Sequence, residues 1–374
     1  MNLPSLIALC AFCLSAAACI YAFFIGKKLL VVPRPHFKLT RHSHNPVISP
    51  LPIREWELNG TFNPAAVKDD EGRVHLLYRA IGADGISRIG HASSRDGLHF
   101  DERSMYPVYE PLPGSGMPAS ANYFGPKHYD PSFYTSGGGW GGSEDPRAVR
   151  IDGKVYMTYV AFEGWDSVRI ALTSIGMDDL RNRRWRWRRP FLISPPGYVA
   201  KNWLLFPEKV NGKYAIITSI VPRVEIEYID SLDALSSYIE SKRPGGVLMG
   251  RKDYWDNRVR GAGPPPIKTD NGWLLLYHAI DKDDPDKYGI GYRIGAMLLD
   301  LSDPTKILYR SPQPILNPDM PYENDGKPGV VYATGAVIIG DNLMVYYGGG
   351  DRHVCIAQTP LKQLLDWLVE HGKV

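Results

Sequence analysis

The sequence predicts an all-β fold, a five-bladed β-propeller preceded by one N-terminal transmembrane helix. Three observations predict it: a turn-rich composition, five recurrences of one strand pattern, and a single uncharged apolar run near the start. The 37 glycines and 31 prolines among 374 residues show no short period, so they read as turns rather than disorder. A hydrophobic share of 44% beside 22% charged residues is that of an ordinary globular body.

Residues Leu6–Gly26 carry no charge and have the length that crosses a bilayer, with Lys27 and Lys28 directly after them. No positive segment precedes the run, which argues against a plain secretory leader. Ala16-Ala17-Ala18-Cys19 weakly resembles a lipoprotein cleavage box but lacks the branched apolar residue before the cysteine. The expectation is a membrane-anchored, single-pass protein, with a cleaved leader or lipoprotein as alternatives. The side of the membrane stays open. Lys27, Lys28, Arg34 and Lys38 would stay in the cytoplasm by the positive-inside rule, whereas a processed leader would export the body. The division that follows is 1–28 anchor or leader, 29–50 linker, 51–360 propeller and 361–374 C-terminal helix. Leu361, Leu364, Leu365 and Leu368 have the spacing of an amphipathic helix on the body.

Between these ends one pattern recurs. Val74–Ala80, Val155–Ala161, Tyr214–Ser219, Trp273–Ala279 and Leu343–Gly348 are apolar-aromatic strands. Each is followed by a second strand: Arg88–Ser94, Val168–Ser174, Glu225–Ser231, Arg293–Leu299 and His353–Thr359. Each pair is preceded by a short segment opened by Pro or Gly: Phe62–Val67, Glu144–Val149, Leu205–Val210, Ala262–Ile267 and Ala333–Val337. Short strands at this period, separated by turn residues, argue for radial repetition. In that arrangement the leading segments line one axis, and Asn63, Asp145, Arg147, Glu208 and Lys209 converge on one pocket.

The rest of the chain excludes more than it adds. A net charge of +3 gives no reason to expect a polyanion, so no nucleic-acid partner is expected. Cys10, Cys13 and Cys19 lie in the apolar run and leave only Cys355 in the body, which removes internal disulfides and Cys-based zinc sites there. No spacing of His and carboxylates resembles a metal site, so none is expected. Gly137–Gly142 lacks the Lys and Ser or Thr of a phosphate loop, and it ends the Pro/Gly/Ser/Tyr-rich stretch from Glu110. Arg181–Arg189 holds six arginines with Trp185 and Trp187. A solvated sheet edge is the simpler reading, and contact with a membrane surface is the alternative.

The segment with most chemistry is Glu144-Asp145-Pro146-Arg147, ahead of a clean strand. On residue types alone it is a turn in which Asp145 pairs with Arg147, or a pair of acids put to use. Here the chain resembles glycoside hydrolase family 130, the β-mannoside phosphorylases and β-mannosidases. The resemblance runs from Asn59 to Thr359. Its markers are Phe62-Asn63-Pro64, Glu144-Asp145-Pro146-Arg147, Leu205-Phe206-Pro207-Glu208-Lys209, Gly261-Ala262-Gly263-Pro264-Pro265-Pro266-Ile267, Trp273-Leu274-Leu275-Leu276-Tyr277-His278 and Tyr346-Tyr347-Gly348-Gly349-Gly350-Asp351. Each is weak alone, and their shared order is not.

The resemblance implies a five-bladed propeller and a β-mannoside oligosaccharide or glycan as partner. It makes Asp145 the proton-donating aspartate, acting through a sugar hydroxyl in the phosphorylases. It implies that Asn63, Arg147 and Asp351 hold the terminal mannose. Arg79, Lys209 and His278 match positions that bind inorganic phosphate in the phosphorylases; on residue types they could equally be structural. No cofactor is implied; inorganic phosphate is the co-substrate if the protein is a phosphorylase.

Inverting hydrolysis needs an acid and a base about 6.5–9.5 Å apart, with water between them. Glu225 and Glu227, on one face of a strand, are candidates for that base, or else a solvated edge. Tyr322–Tyr332 departs from the phosphorylase type of segment, and no counterpart appears for one phosphate-binding arginine ahead of Phe206; Lys201 is the nearest basic residue. These features lead to the expectation of an inverting glycosidase, a β-mannosidase cleaving β-1,2-linked mannosides, with Asp145, Glu225 and Glu227 as catalytic candidates. The alternatives are an inverting phosphorylase forming α-mannose 1-phosphate and a non-catalytic glycan-binding propeller.

Overall fold

Five antiparallel meanders follow one another along the chain. The computed structural model describes residues 36–110, 138–163, 168–197, 199–235, 237–240, 248–284 and 291–374. The first meander consists of Gly60–Lys68, Val74–Ile81, Ile86–Ser94 and Glu102–Arg103; the second of Gly141–Ile151, Lys154–Glu163, Val168–Gly176 and Phe191–Leu192. The third is Leu204–Leu205, Tyr214–Ser219 and Glu225–Ile229. In the fourth, Arg258–Ala262 and Ile267–Thr269 both pair with Gly272–Ile280, which is followed by Tyr292–Leu299 and Ile307–Arg310. The fifth is Val331–Ile339, Asn342–Gly349 and His353–Pro360. Parallel pairing of Ile86 with Gly141 and Ser87 with Gly142 joins the first two meanders into one sheet.

The middle strands Val74–Ile81 and Gly272–Ile280 are buried along their whole length. A strand in that state has both sheet faces covered, which explains its continuous rather than alternating apolar pattern. The covers are the neighbouring meanders. Leu77 and Met157 share a core between the first and second, and Phe162 and Leu205 share one between the second and third. Phe206 with Trp273, then Leu276 with Val345, continue the series, and Tyr346 with Leu76 returns it to the first. The five meanders therefore close into a ring, and every joint in that ring is an apolar core.

Two expectations change. The sequence led to a propeller preceded by a transmembrane helix, in a membrane-anchored protein. Among the described residues no helix is long and apolar enough to cross a membrane, and Leu6–Gly26 lies outside them, so the transmembrane helix, the membrane partner and the single-pass placement are withdrawn. Glu55–Glu57 and Pro321–Glu323 are single 3-10 turns, and the described α-helices are Met177–Arg181 and Leu361–His371, too short to span. The second sets Leu364, Leu365 and Leu368 into the core between the fourth and fifth meanders. Within the expected 29–50 linker, Thr40–Arg41 instead forms the outer strand of the fifth meander, with Thr40 opposite Gln358. The cause is burial: Leu39 and Ile48 on either side are both 3% exposed.

The arginine run is mostly occupied by acids. Arg181 meets Asp70 and Glu71, Arg183 meets Glu102, Arg184 meets Asp179, and Arg188 meets Asp233. Trp185 and Trp187 pack on the core between the first and second meanders. These pairs make the run a laced sheet edge.

Candidate active site

Two Asx-Pro pairs shape the site. On the first strand of the first meander, Phe62 pairs with Arg79, but the next pair is Ala65 with Leu77. Asn63 and Pro64 thus oppose one residue, a bulge. The second meander repeats it: Glu144 pairs with Val160, then Arg147 with Thr158, leaving Asp145-Pro146 as the extra step. Asn63 and Asp145 both have φ 47. Asx residues tolerate this left-handed conformation better than other side chains, and proline, which donates no hydrogen bond, fits where the ladder is broken. A bulge re-aims a side chain, and strain of about 1–3 kcal/mol per residue persists only where surrounding contacts over-determine it. Here the side chains of Asn63 and Asp145 are turned toward each other. Asp351, after Gly350 in the last hairpin, is also left-handed, with φ 50.

The Asp145 carboxylate is held from several sides. Its Oδ1 accepts from Asn63 Nδ2 at 2.8 Å and from Arg79 Nη1 at 3.1 Å. Arg79 also donates from Nη2 to Glu144 Oε1 at 2.8 Å and from Nε to Ser87 Oγ at 3.0 Å. Glu144 faces Lys201 Nζ at 3.6 Å. Burial by itself would raise the Asp145 carboxyl. The charges of Arg79 and Lys201, the Asn63 hydrogen bond and the charge of Arg147 outweigh it, and Asp145 lies below the ordinary carboxylate value. The resting carboxylate is therefore ionised. Asp351 pairs with Lys327 at 3.5 Å and adds to the negative field on Arg79.

Arg147 forms the opposite wall. Its Nε donates to the Gly263 carbonyl at 2.7 Å, Nη1 to the Asp145 carbonyl at 3.0 Å, and Nη2 to Asn202 Oδ1 at 2.9 Å and the Ala262 carbonyl at 3.1 Å. The pairing expected within the tetrapeptide thus exists, but it reaches the Asp145 main chain and not its carboxylate. His278 lies flat on Tyr332, with ring centroids 3.8 Å apart and planes at 12°. Burial, helped by the Arg147 charge, pushes His278 down to about 3. His278 is a neutral imidazole at physiological pH, so it offers an anion a hydrogen bond and no charge.

Close packing sets the orientation of Asn63. A methyl group at Gly348, on the neighbouring strand, would overlap Asn63 Oδ1. Gly348→Ala is expected to turn the Asn63 amide away from Asp145 and to reduce kcat/KM about tenfold, a loss of roughly one charge-assisted hydrogen bond. Steady-state rates on a β-mannoside, the substrate class that the resemblance implies, beside an unfolding midpoint close to that of the parent, check it.

Of the residues singled out from sequence, Asn63, Arg79, Asp145, Arg147 and His278 come together, and Asp351 joins through its charge. Glu208 and Lys209 do not. Leu204–Leu205 is a two-residue strand that ends before them, and both side chains are exposed. Glu208 pairs with Lys268, and Lys209 lies over the Tyr214 ring at 4.8 Å. Glu225 meets Arg223 at 3.5 Å, on the strand it shares with Glu227. That strand pairs with Tyr214–Ser219. Sequence reasoning passed over Glu144, Ser87, Asn202 and Tyr332 as site residues. Glu144 was within reach, as the neighbour of Asp145 in the motif. Asn202 and Tyr332 carried no local signal.

Comparison with known proteins agrees with this arrangement. A β-1,2-mannobiose phosphorylase of Thermoanaerobacter sp. (strain X514) is 36% identical over 336 residues, 86% of this chain and 97% of that one. The structure of a β-1,2-mannobiose phosphorylase from Listeria innocua, in complex with β-1,2-mannobiose, superposes with a TM-score of 0.65 at 26% identity, covering 88% and 99% of the two chains. A further solved relative, with a TM-score of 0.67 and 26% identity over 89% and 96% of the chains, comes from work showing that the GH130 family of mannoside phosphorylases contains glycoside hydrolases that target β-1,2 mannosidic linkages in Candida mannan. The family profile described as β-1,4-mannooligosaccharide phosphorylase matches residues 135–370, and the chain belongs to that family, glycoside hydrolase family 130.

Proposed function

We propose that the protein is an inverting β-mannoside phosphorylase, acting on β-1,2-linked mannosides with inorganic phosphate as co-substrate. The observation that carries this reading is the 36% identity to a β-1,2-mannobiose phosphorylase across 97% of its length. A second relative, a 1,2-β-oligomannan phosphorylase, is 35% identical over 99% of its length. This reverses the preference for hydrolysis drawn from Glu225 and Glu227, from the Tyr322–Tyr332 segment and from the missing arginine ahead of Phe206. Glu225 is engaged by Arg223, and neither glutamate supplies a reason to prefer water over an anion.

The electrostatics support the same choice. Arg79, Arg147 and Lys201 surround Asp145 and Glu144, a surplus of one positive charge in a buried setting. An anion is attracted to such a place. Its arrival would offset the cations that depress Asp145 and raise that carboxyl's affinity for a proton when an acid is needed. Once the anion is bound, Asp145 takes a proton from dihydrogen phosphate or solvent; phosphate then attacks the anomeric carbon, the carbon–oxygen bond to the leaving sugar breaks, and the leaving oxygen receives that proton from Asp145 by way of a sugar hydroxyl. The products are α-mannose 1-phosphate and the shortened mannoside. Asn63 and Arg79 hold Asp145 in place, and neutral His278 donates to an oxygen of the bound anion.

Hydrolysis is the second reading, favoured by the relative whose family contains hydrolases of the same linkage. One assay separates them. With β-1,2-mannobiose, mannose 1-phosphate should accumulate in proportion to added phosphate, and turnover should stop without it. Two free mannoses per substrate at the same rate in phosphate-free buffer would reverse the assignment.

A further inference from the structure

We propose that Asn202 is a positioning residue of this site, whose amide fixes Arg147 and Tyr332 in one arrangement beside Asp145. The inference rests on the phosphorylase reading for its assay, and on geometry for its content. Asn202 stands in the loop ahead of the third meander, in the left-handed conformation with φ 63. Its Oδ1 accepts from Arg147 Nη2 at 2.9 Å and from the Tyr332 hydroxyl at 2.6 Å. Both lone-pair positions of the amide oxygen are thereby used. Its Nδ2 donates to the Arg260 carbonyl at 2.9 Å. One side chain thus ties together the second, fourth and fifth meanders at the point where their first strands meet the site.

The loop that carries it is fastened. Ala200 N donates to the Val168 carbonyl at 2.9 Å, and Thr158 Oγ1 donates to the Trp203 carbonyl at 3.0 Å. The space is shaped to the amide as well. Gly261, at φ 139, is the residue opposite His278, and any side chain there would overlap the Asn202 amide.

Two groups of the site depend on this amide. Arg147 braces the bulge through the Asp145 carbonyl at 3.0 Å, is held by the Gly263 and Ala262 carbonyls, and has Asn202 as its close side-chain acceptor at 2.9 Å. Tyr332 is the surface on which His278 lies, and the Ala333 main chain is its other neighbour. The bond from the Tyr332 hydroxyl to Asn202 fixes one of the two supports of the imidazole. Removing the amide takes the side-chain acceptor from Arg147, which keeps the Gly263, Ala262 and Asp145 carbonyls, and releases the Tyr332 hydroxyl on whose ring His278 lies, while Asp145, Asn63 and Arg79 keep their own contacts.

The test uses the full chain with Asn202→Leu, Tyr332→Phe and the double variant, assayed for phosphorolysis of β-1,2-mannobiose alongside unfolding midpoints. Asn202→Leu is expected to lower kcat about tenfold to a hundredfold, the cost of a small misplacement of reacting groups. The KM for mannobiose, through Arg147, and the KM for phosphate, through His278, should both rise. Tyr332→Phe should lower kcat by less. The double variant should be no worse than Asn202→Leu alone, because the hydroxyl has already lost its acceptor. A kcat for Asn202→Leu within twofold of the parent, or additive losses in the double variant, overturns the inference. Should Asn202→Leu not fold, an unchanged kcat in Tyr332→Phe has the same force. If the parent protein forms no mannose 1-phosphate, the phosphorylase reading fails separately, and the same comparison is made on the dissociation constant for mannose by calorimetry.

Discussion

Asp145→Asn abolishes turnover of the β-mannoside substrate, with an expected loss of about 10²–10⁴-fold in kcat, the range of a general acid. The substitution is close to isosteric. The amide oxygen still accepts from Asn63 and Arg79, so the bulge and its neighbours keep their contacts. What disappears is the proton the group can carry. Binding of mannobiose should persist, because the residues expected to hold the terminal mannose remain. Single-turnover rates and a dissociation constant for the same variant separate the two effects. A variant within tenfold of the parent in kcat would remove Asp145 from the chemistry and return it to a structural salt bridge.

Arg79→Met tests stability rather than rate. Arg79 is 1% exposed and is the shared partner of Glu144 and Asp145, which are 0% and 7% exposed. Methionine fills similar length and leaves two carboxylates in low dielectric with part of their compensation gone. Breaking such a buried cluster from one side costs about 3–5 kcal/mol. The expected result is a clear drop in the urea midpoint with little change in slope. Glu144→Gln in the same background should recover part of the loss, because it removes one of the stranded charges. A midpoint unchanged by Arg79→Met would show that Lys201 and Asn63 suffice to hold the pair.

Some of this was legible in the sequence, and the reason is local. Asn63-Pro64 and Asp145-Pro146 announce a backbone that must break its ladder, because proline cannot donate and Asx residues accept left-handed φ. Tyr78, Tyr159, Tyr277 and Tyr347 sit in middle strands whose pattern repeats, so the meanders could be counted before their contacts were known. Glu208 and Lys209 show where pattern misleads. They follow Leu205-Phe206-Pro207, and by analogy with the other repeats they should line the axis. In the third meander the first strand is only Leu204–Leu205, and the chain turns outward before reaching them. The loop just ahead reaches the site in their place, with Lys201 facing Glu144 and Asn202 holding Arg147. That exchange depends on the φ of Asn202 and on hydrogen bonds to Val168 and Thr158, which no spacing encodes. Leu6–Gly26 has the composition of a bilayer span, but composition fixes length and polarity rather than placement.

The strand Thr40–Arg41 has a mechanical consequence. Laid against His353–Pro360, it makes the ring's last sheet out of both ends of the described body, like a clasp whose two halves come from opposite ends of a bracelet. No meander can swing away as a hinged leaf while the clasp is shut, since each is gripped by a core on either side. Asn63, Asp145 and Asp351, drawn from three separate meanders, are thereby carried by one closed ring, braced by the cores at its joints and by the strand pairing of the clasp.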